Sequence, residues 1–354
     1  MNAKLVEEIA TAVLYEGYML YPYRPSAVKN RQRWQFGVVY PKNYSELQNG
    51  VDPWVTQTEC LVLGSPQTEI MVKVRFLQAI SRIIGELDTP VFELPENAVP
   101  SFHAIESLQV GEQLLQAWQE AAEREVTVTP CCTDTLMPGP VTQLFALPSG
   151  REFEPVRDPK SRIAALIVRT QEAIAGKVEV AAVCLKEGVY KLTLTVANET
   201  CISGLNQVSR DRALLQSLIS AHSILSVEHG EFASLLDTPQ ELREFASGCR
   251  NVGTWPVLVG EDGQRDAMLS SPIILYDYPQ IAPESAGDLF DGTEIDEILA
   301  LRILALTEEE KREMRQGDER TRQILERTES LPAEQLLKLH GTLRGLRPTS
   351  EGRQ

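Results

Sequence analysis

Four carboxylates near the C-terminal end of the chain could bind a metal ion. They lie in a stretch that reads D-x-x-D-G-T-E-x-D, and the residues are Asp288, Asp291, Glu294 and Asp296. Hard divalent cations prefer carboxylate oxygens, so a metal-dependent enzyme of unknown substrate is one interpretation. The spacing is not that of an EF-hand loop, and acids near a helix start also stabilise the helix macrodipole. We therefore favour a structural or partner-facing role and keep the metal enzyme as the alternative.

A second segment combines bases with aromatic residues. Residues 17–45 contain five Lys or Arg residues and no acid. Arginine and aromatic side chains dominate the energetics of many protein interfaces, and they also line grooves for single-stranded nucleic acid. They could equally pair with the chain's own carboxylates. As partner-binding candidates we take residues from this segment and from the proline-rich stretch at 270–299, namely Tyr23, Arg24, Arg31, Arg33, Trp34, Tyr276 and Tyr278.

The common catalytic and cofactor motifs are missing from the sequence. There is no P-loop, no G-x-S-x-G elbow, no H-E-x-x-H and no G-x-G-x-x-G after a strand. Adjacent Cys131 and Cys132 would point to opposite faces of an extended chain, and no second thiol pair accompanies them. We therefore expect no cofactor, no structural zinc site and a non-enzymatic function.

Composition limits the classes of partner. The formal net charge is −16, and nucleic acids and anionic membranes both select basic surfaces. No apolar run is long enough to span a bilayer. The first residues resemble an amphipathic helix and lack the basic head of a secretory signal. Six scattered cysteines in a large chain indicate reduced thiols. We expect a cytoplasmic protein with a protein partner; the oligomeric state stays open.

These segments must be positioned by a mixture of helices and strands. Apolar spacing predicts a helix over residues 3–15 and another over residues 110–125, where Leu114, Leu115 and Trp118 share a face. TECLVLGS and TEIMVKVRFLQ read as strands joined by a turn at GSPQ, which predicts a hairpin. KVEVAAVCL and GVYKLTLTV read as antiparallel neighbours, and WPVLVG and SPIILYD as further strands.

The C-terminal part reads as helical. Residues 293–306 have one apolar face, and Thr307 with Glu310 forms a capping box for the next helix. The expected fold class is α+β, with an antiparallel β-rich, sandwich-like middle. The predicted regions are a mixed α+β region at 1–125, a β-rich domain at 126–290 and a helical segment at 291–354.

Two stretches of the sequence resemble a family of uncharacterised bacterial proteins. The more characteristic block is LSSPIILYDYPQIAPESAGDLFDGTEIDEILALRILALTEEEK at 269–311, and the second is YPYRPSAVKNRQRWQFGVVYP at 21–41. Genes of that family tend to lie beside those of uptake [NiFe] hydrogenases and their maturation factors. The resemblance implies an accessory or assembly protein that binds a hydrogenase subunit or maturation factor, and it brings no catalytic residue. Opposite charges, +5 over 17–45 and −8 over 284–310, predict that the two blocks approach each other.

Overall fold

The computed structural model describes residues 3–15, 37–94, 101–111, 113–204, 208–280, 303–315 and 319–330. The chain divides into two compact units. One unit spans 1–18 and 32–280 and contains the β-sheet; the other spans 19–31 and 281–354 and contains the C-terminal helices. The antiparallel, β-rich α+β class predicted from the sequence is confirmed.

Helices and strands of the sheet unit have the following bounds. The helices are α1 (Ala3–Leu14), α2 (Lys42–Leu47), α3 (Thr133–Leu136), α4 (Arg210–Leu214) and α5 (Arg243–Ser247). The strands are β1 (Val55–Val91), β2 (His103–Ile105), β3 (Ser107–Val110), β4 (Gln113–Gln116), β5 (Trp118–Cys132), β6 (Val141–Leu147), β7 (Gly150–Arg157), β8 (Ile163–Gln171), β9 (Ile174–Lys186), β10 (Val189–Asn198), β11 (Ile219–Ala233), β12 (Trp255–Leu258) and β13 (Ala267–Ser271).

Strand β1 is the central strand of the large sheet and pairs with five others in the described parts of the chain. It pairs antiparallel with β10 near its start, with β11 and β5 along its middle, and with β8 and β2 near its end. Within the described residues the main path runs β12-β13-β11-β1-β10-β9-β6, and β3 pairs with β4 in a separate hairpin. The largest apolar cluster takes side chains from β1, β5, β9, β10 and β11. In β1, this core takes side chains from Cys60 to Phe76.

The predicted turn at GSPQ is wrong, because β1 continues through it. Pairing with β11 continues on both sides of this stretch, and the register shifts between Gly64 and Glu69, as a bulge. Thr68 Oγ1 accepts from the Ser65 N–H at 2.9 Å and donates to the His229 carbonyl at 2.9 Å. These bonds satisfy the Ser65 N–H and the His229 carbonyl at the bulge. Pairing with β11 on both sides therefore overrides the local turn signal.

The predicted helix at 110–125 is also wrong. Val110 ends β3, Gly111 follows with φ +59°, and Gln113–Gln116 form β4, which pairs with β3. Residues 118–132 form β5, which pairs with β1 from Trp118 opposite Arg82 to Cys132 opposite Glu69. A ladder of this length is a tertiary interaction that helical periodicity in the sequence cannot reveal. The predicted domain boundary at 125/126 falls inside β5, and the sheet continues across it.

Other predicted elements are confirmed. Helix α1 forms over Ala3–Leu14 and buries Val6, Ile9 and Val13 against β11 and β13. Strands β9 and β10 form the predicted hairpin, and WPVLVG contains β12. The strand predicted at SPIILYD, by contrast, is wrong, because β13 ends at Ser271, the first residue of that run, and proline follows. Proline has no N–H to donate to a ladder.

The second unit contains two described helices, α6 (Glu308–Arg315) and α7 (Glu319–Glu329). The predicted capping box is present. The Thr307 N–H donates to Glu310 Oε2 at 2.9 Å, and the Glu310 N–H donates to Thr307 Oγ1 at 3.2 Å. Arg315 joins the two helices through Glu329 at 3.1 Å. The predicted boundary at 290/291 and most of the helix predicted at 293–306 lie outside the described residues.

Candidate functional site

The structure describes only two of the predicted site residues, Tyr276 and Tyr278. The basic-aromatic candidates Tyr23, Arg24, Arg31, Arg33 and Trp34 lie outside the described residues, and so do the four carboxylates Asp288, Asp291, Glu294 and Asp296. Their roles stay predictions. The two described tyrosines belong to residues 272–278, which follow β13 and which we name the tyrosine segment.

Alternate residues of the tyrosine segment point in opposite directions. Ile273 and Leu275 are partly buried and pack against the apolar cluster formed by α1, β11 and β13. Ile274 is 73% exposed and Tyr276 is 85% exposed. Large apolar side chains that are this exposed on an ordered segment are a common feature of binding surfaces. The segment therefore presents an isoleucine and a tyrosine to solvent while its other face packs on the core.

Hydrogen bonds fix the end of the tyrosine segment to strand β12. Asp277 Oδ1 accepts from the Leu258 N–H at 2.8 Å, and Asp277 Oδ2 accepts from the Ser234 hydroxyl at 2.5 Å. The Tyr278 N–H donates to the Leu258 carbonyl at 2.8 Å. With apolar anchors before Tyr276 and these bonds after it, Tyr276 stands on a backbone that is held on both sides.

Tyr278 lies in a different environment from Tyr276. It is partly buried, packs against the largest apolar cluster and has a left-handed backbone with φ +54°. Burial, more than the neighbouring Asp277 and Asp262 carboxylates, raises the pKa of its phenol, and Arg265 opposes this rise. The phenol therefore stays neutral at physiological pH. Tyr278 anchors the segment, and its predicted contact with a partner stays a prediction.

The two blocks that carry the family resemblance touch each other in the sheet unit. Gly37 belongs to the block at 21–41, and Pro272 to the block at 269–311. A Cβ built on Gly37 would lie 2.5 Å from Cβ of Pro272, and the Gly37 carbonyl accepts from the Ala221 N–H at 3.0 Å. The predicted approach of the blocks therefore occurs at these two residues. The oppositely charged stretches that motivated it fall largely outside the described residues.

Strand β12, beside the tyrosine segment, is an edge strand whose backbone is poorly available for pairing. Pro256 lacks an N–H, and both backbone groups of Leu258 already bond to the tyrosine segment. Trp255, which pairs with Ser271 at the start of this strand, is 42% exposed. Proline and a bonded edge block the addition of another strand. A partner at this face would therefore be recognised through side chains.

A buried ionic cluster beneath α1 has no counterpart in the sequence-based predictions. The Arg75 guanidinium, whose side chain is 9% exposed, contacts Glu7 and Glu123 at 3.2 Å each. It also donates to Thr11 Oγ1 at 3.1 Å. Glu7 and Thr11 lie four residues apart on α1, a spacing that places both on one helical face. That spacing is the one sequence signal that could have indicated a polar contact under the helix.

His222 lies close to this cluster and is fully buried. Its Nδ1 is 2.9 Å from the Ser220 carbonyl, so Nδ1 must carry the proton. Among the described residues, Nε2 has no hydrogen-bond partner. Burial, with a smaller contribution from the Arg75 charge, lowers the pKa of His222 to about 4, although the Ser220 carbonyl, Glu7 and Glu123 oppose the shift. The imidazole is therefore neutral at physiological pH and serves the packing of α1 on the sheet.

A cavity of about 250 Å³ lies where β1 meets β7 and β8. Arg169 and Gln171 contribute to its lining. Arg169 is held by Glu120 at 2.7 Å and by Glu154 at 2.6 Å, and these partners raise its pKa despite burial. Arg151 and Glu152 also line the cavity, so the formal charges of its lining balance once Arg169 is paired. Within the described ranges, no group of three or more His, Cys, Asp or Glu side chains could hold a metal ion.

Comparisons with known proteins add no family or function. No protein-family model matches the chain, and no curated protein matches it. One solved structure compared with it is that of the Salmonella SPI-1 type III secretion injectisome secretin InvG (residues 176-end) in the open gate state. It is 10% identical over 75% of each chain, with a TM-score of 0.09, and at that score it carries no argument. In the parts of the chain that the structure describes, no helix has the length and apolar character to cross a membrane.

Proposed function

We propose that this protein is a non-enzymatic accessory or assembly protein that binds a protein partner through the tyrosine segment. The observation that carries the proposal is the exposure of Tyr276 and Ile274 on a backbone fixed to the core on both sides. Tyrosine is enriched at interface hot spots. A segment that is already ordered loses little conformational entropy on binding, so more of the contact energy appears as affinity.

A macromolecular partner suits this surface better than a small ligand does. Small-molecule sites are concave and bury most of the ligand, whereas Ile274 and Tyr276 project outward with most of their surface in water. Trp255 adds a second exposed aromatic residue on the neighbouring strand. Protein interfaces combine such aromatic anchors with a polar rim.

The partner class follows from the sequence resemblance. The tyrosine segment lies within the block at 269–311, and the block at 21–41 meets it at Gly37. We propose a [NiFe] hydrogenase subunit or maturation factor as the partner. The basic-aromatic candidates Arg31 and Arg33 stay predicted partner contacts on the ground of the sequence alone. The acidic chain makes nucleic acid a poor alternative, because phosphate binding requires a basic face.

Affinity capture from the native host tests this proposal. Tagged wild-type protein is compared with the Ile274→Ala/Tyr276→Ala double variant, and captured proteins are identified by mass spectrometry. We expect wild-type protein to capture a hydrogenase subunit or maturation factor. The double variant should bind it at least about tenfold more weakly, which corresponds to a loss of about 1.4 kcal/mol of binding free energy. Because both side chains are exposed, the melting temperature should hardly change.

A matched control separates this effect from a general loss of surface hydrophobicity. Leu236→Ala removes a side chain that is 57% exposed outside the tyrosine segment, and it should leave capture unchanged. Equal capture by the wild-type protein and the double variant would reject the tyrosine segment as the contact. Capture that contains no hydrogenase subunit or maturation factor would reject the partner class.

A further inference from the structure

Strand β6 leaves one edge of the large sheet open. Within the described residues it pairs only with β9, from Val141 opposite Val180 to Leu147 opposite Ile174. A hydrogen bond of Ala175, the second residue of β9, shows which way the backbone groups of β9 point. Its carbonyl accepts from the Glu199 N–H, so it faces the side on which β10 lies. Backbone groups alternate between the two sides of a strand. Even-numbered residues of β6, which pair with odd-numbered residues of β9, therefore direct their N–H and C=O groups away from the sheet.

The open edge is confirmed at its centre by a side-chain hydrogen bond. The Leu144 carbonyl accepts from the Gln143 amide, Nε2, at 2.9 Å. The Leu144 side chain is 67% exposed, and Thr142 and Ala146 are exposed as well. On the opposite face, Val141, Phe145 and Leu147 are only partly buried although they pack on the largest apolar cluster. At β6, therefore, one side of the backbone has no neighbouring strand among the described residues, and the apolar side chains of the inner face are only partly covered.

This edge lacks the usual features that prevent strands from pairing between molecules. Natural edge strands carry charges or prolines, or are covered. No charged residue occurs between Asp134 and Arg151, and the two prolines flanking β6, Pro140 and Pro148, lie outside the strand. Strand β12 at the other end of the sheet is protected by Pro256 and Asp277. The molecule therefore protects the β12 edge and leaves the β6 edge free to pair.

The composition of β6 makes it complementary to itself. If two copies pair antiparallel about a two-fold axis at Leu144, each Leu144 faces its equivalent, Thr142 faces Ala146, and Val141 faces Leu147. Every facing pair is uncharged, and the flanking prolines end the ladder at the same residue on both sides. With a net charge of −16, two copies repel each other over much of their surface. An uncharged strip is where a contact between identical chains costs least.

We propose that β6 is the interface of a homodimer in which the sheets of two copies join antiparallel about a two-fold axis at Leu144. The pairing would satisfy the outward backbone groups of β6 and cover the half-buried Phe145 and Leu147. It is independent of the tyrosine segment, which follows β13 at the other end of the main path of strands. Each dimer would thus present two copies of that segment.

The test uses the purified full-length protein and two oppositely charged variants, Leu144→Lys and Leu144→Glu. Sedimentation velocity across a concentration series gives the dimer dissociation constant. Each variant alone places like charges face to face at the two-fold axis, and we expect dimerisation to weaken by about a hundredfold or more. An equimolar mixture of the two variants places Lys opposite Glu and should restore dimers.

The control Val51→Lys changes an aliphatic side chain that is 81% exposed outside any strand, and it should dimerise like the wild-type protein. Melting temperatures verify that each variant is folded. A wild-type protein that stays monomeric across the series would overturn the proposal, whether the edge is covered by another part of this chain or by a different partner. Dimers that survive both single variants would also overturn it, and so would a mixture that fails to restore them.

Discussion

His222 should make the sheet unit less stable in mild acid. Its pKa in the folded protein is about 4, whereas an unfolded chain has an ordinary histidine pKa of about 6.5. Well above pH 6.5 the imidazole is neutral in both states, so its ionisation does not affect stability. As the pH falls below 6.5 the unfolded chain takes up a proton that the folded protein cannot yet bind. The unfolding free energy therefore decreases as the pH falls from 6.5 towards 4.

The size of the effect follows from the two pKa values. Each unit of difference corresponds to about 1.4 kcal/mol. Integrating proton uptake from pH 8 to pH 5 gives a loss of about 2 kcal/mol of unfolding free energy from this one group. Aspartate and glutamate carboxylates in general titrate at lower pH, so the measurement should stop at pH 5.

Urea unfolding at pH 8, 6.5 and 5 measures this loss. Tryptophan fluorescence is a suitable probe because Trp54, Trp118 and Trp255 lie in the sheet unit. The informative variant is His222→Asn, whose amide can still donate to the Ser220 carbonyl but does not titrate. It should lower stability at pH 8, because it leaves a small cavity, yet its stability should fall by about 2 kcal/mol less than that of the wild-type protein between pH 8 and pH 5.

A matched surface control is His103→Asn, since the His103 side chain is 74% exposed. It should follow the wild-type pH dependence closely. Parallel stability curves for wild-type protein and His222→Asn would contradict the reasoning. A native-state pKa near 6.5 for His222, measured by NMR, would contradict it independently.

Three further substitutions test other parts of the fold. Arg75→Ala should lower the unfolding free energy by about 2–3 kcal/mol, because it removes a nearly buried guanidinium that pairs with Glu7 and Glu123 beneath α1. Lys4→Ala, at an exposed pair on α1, should change it by less than about 0.5 kcal/mol, and urea unfolding distinguishes the two variants. Gly37→Ala should cost about 2 kcal/mol or more, since φ is +53° and the new methyl group meets Pro272, and Gly50→Ala, at φ +76° in open space, should cost about 1 kcal/mol. Thr307→Ala removes the capping box and should speed hydrogen exchange in α6 about fivefold, the effect of about 1 kcal/mol.

The sequence by itself predicted the features that depend on neighbouring residues. The apolar face of α1, the β9–β10 hairpin and the capping box at Thr307 each arise from interactions over a few residues, and each is present. The overall antiparallel β-rich α+β class also followed from the density of short Val- and Thr-rich runs. Local patterns identify such features because the physical cause, side-chain periodicity or a cap, lies within the pattern.

Only the tertiary structure decided the path of β1 and β5. GSPQ has the composition of a turn, but pairing with β11 on both sides of a bulge keeps β1 a single strand. Residues 118–125 have helical periodicity, yet their ladder with β1 outweighs it. In both cases the deciding hydrogen bonds come from residues far away in the chain. A weak local preference yields to a long ladder and a shared core.

The site shows the same division. The sequence singled out Tyr276 and Tyr278 together, since both are aromatic residues in one proline-rich stretch. Packing separates them: Tyr276 projects into solvent, whereas Tyr278 turns to the core and its N–H bonds to β12. Arg75 and His222 carried no signal strong enough to be noticed, because their environment is assembled from α1, β1, β5 and β11. The sequence specifies the type of each residue, but the exposure and the pKa of its side chain depend on which distant groups surround it in the folded protein.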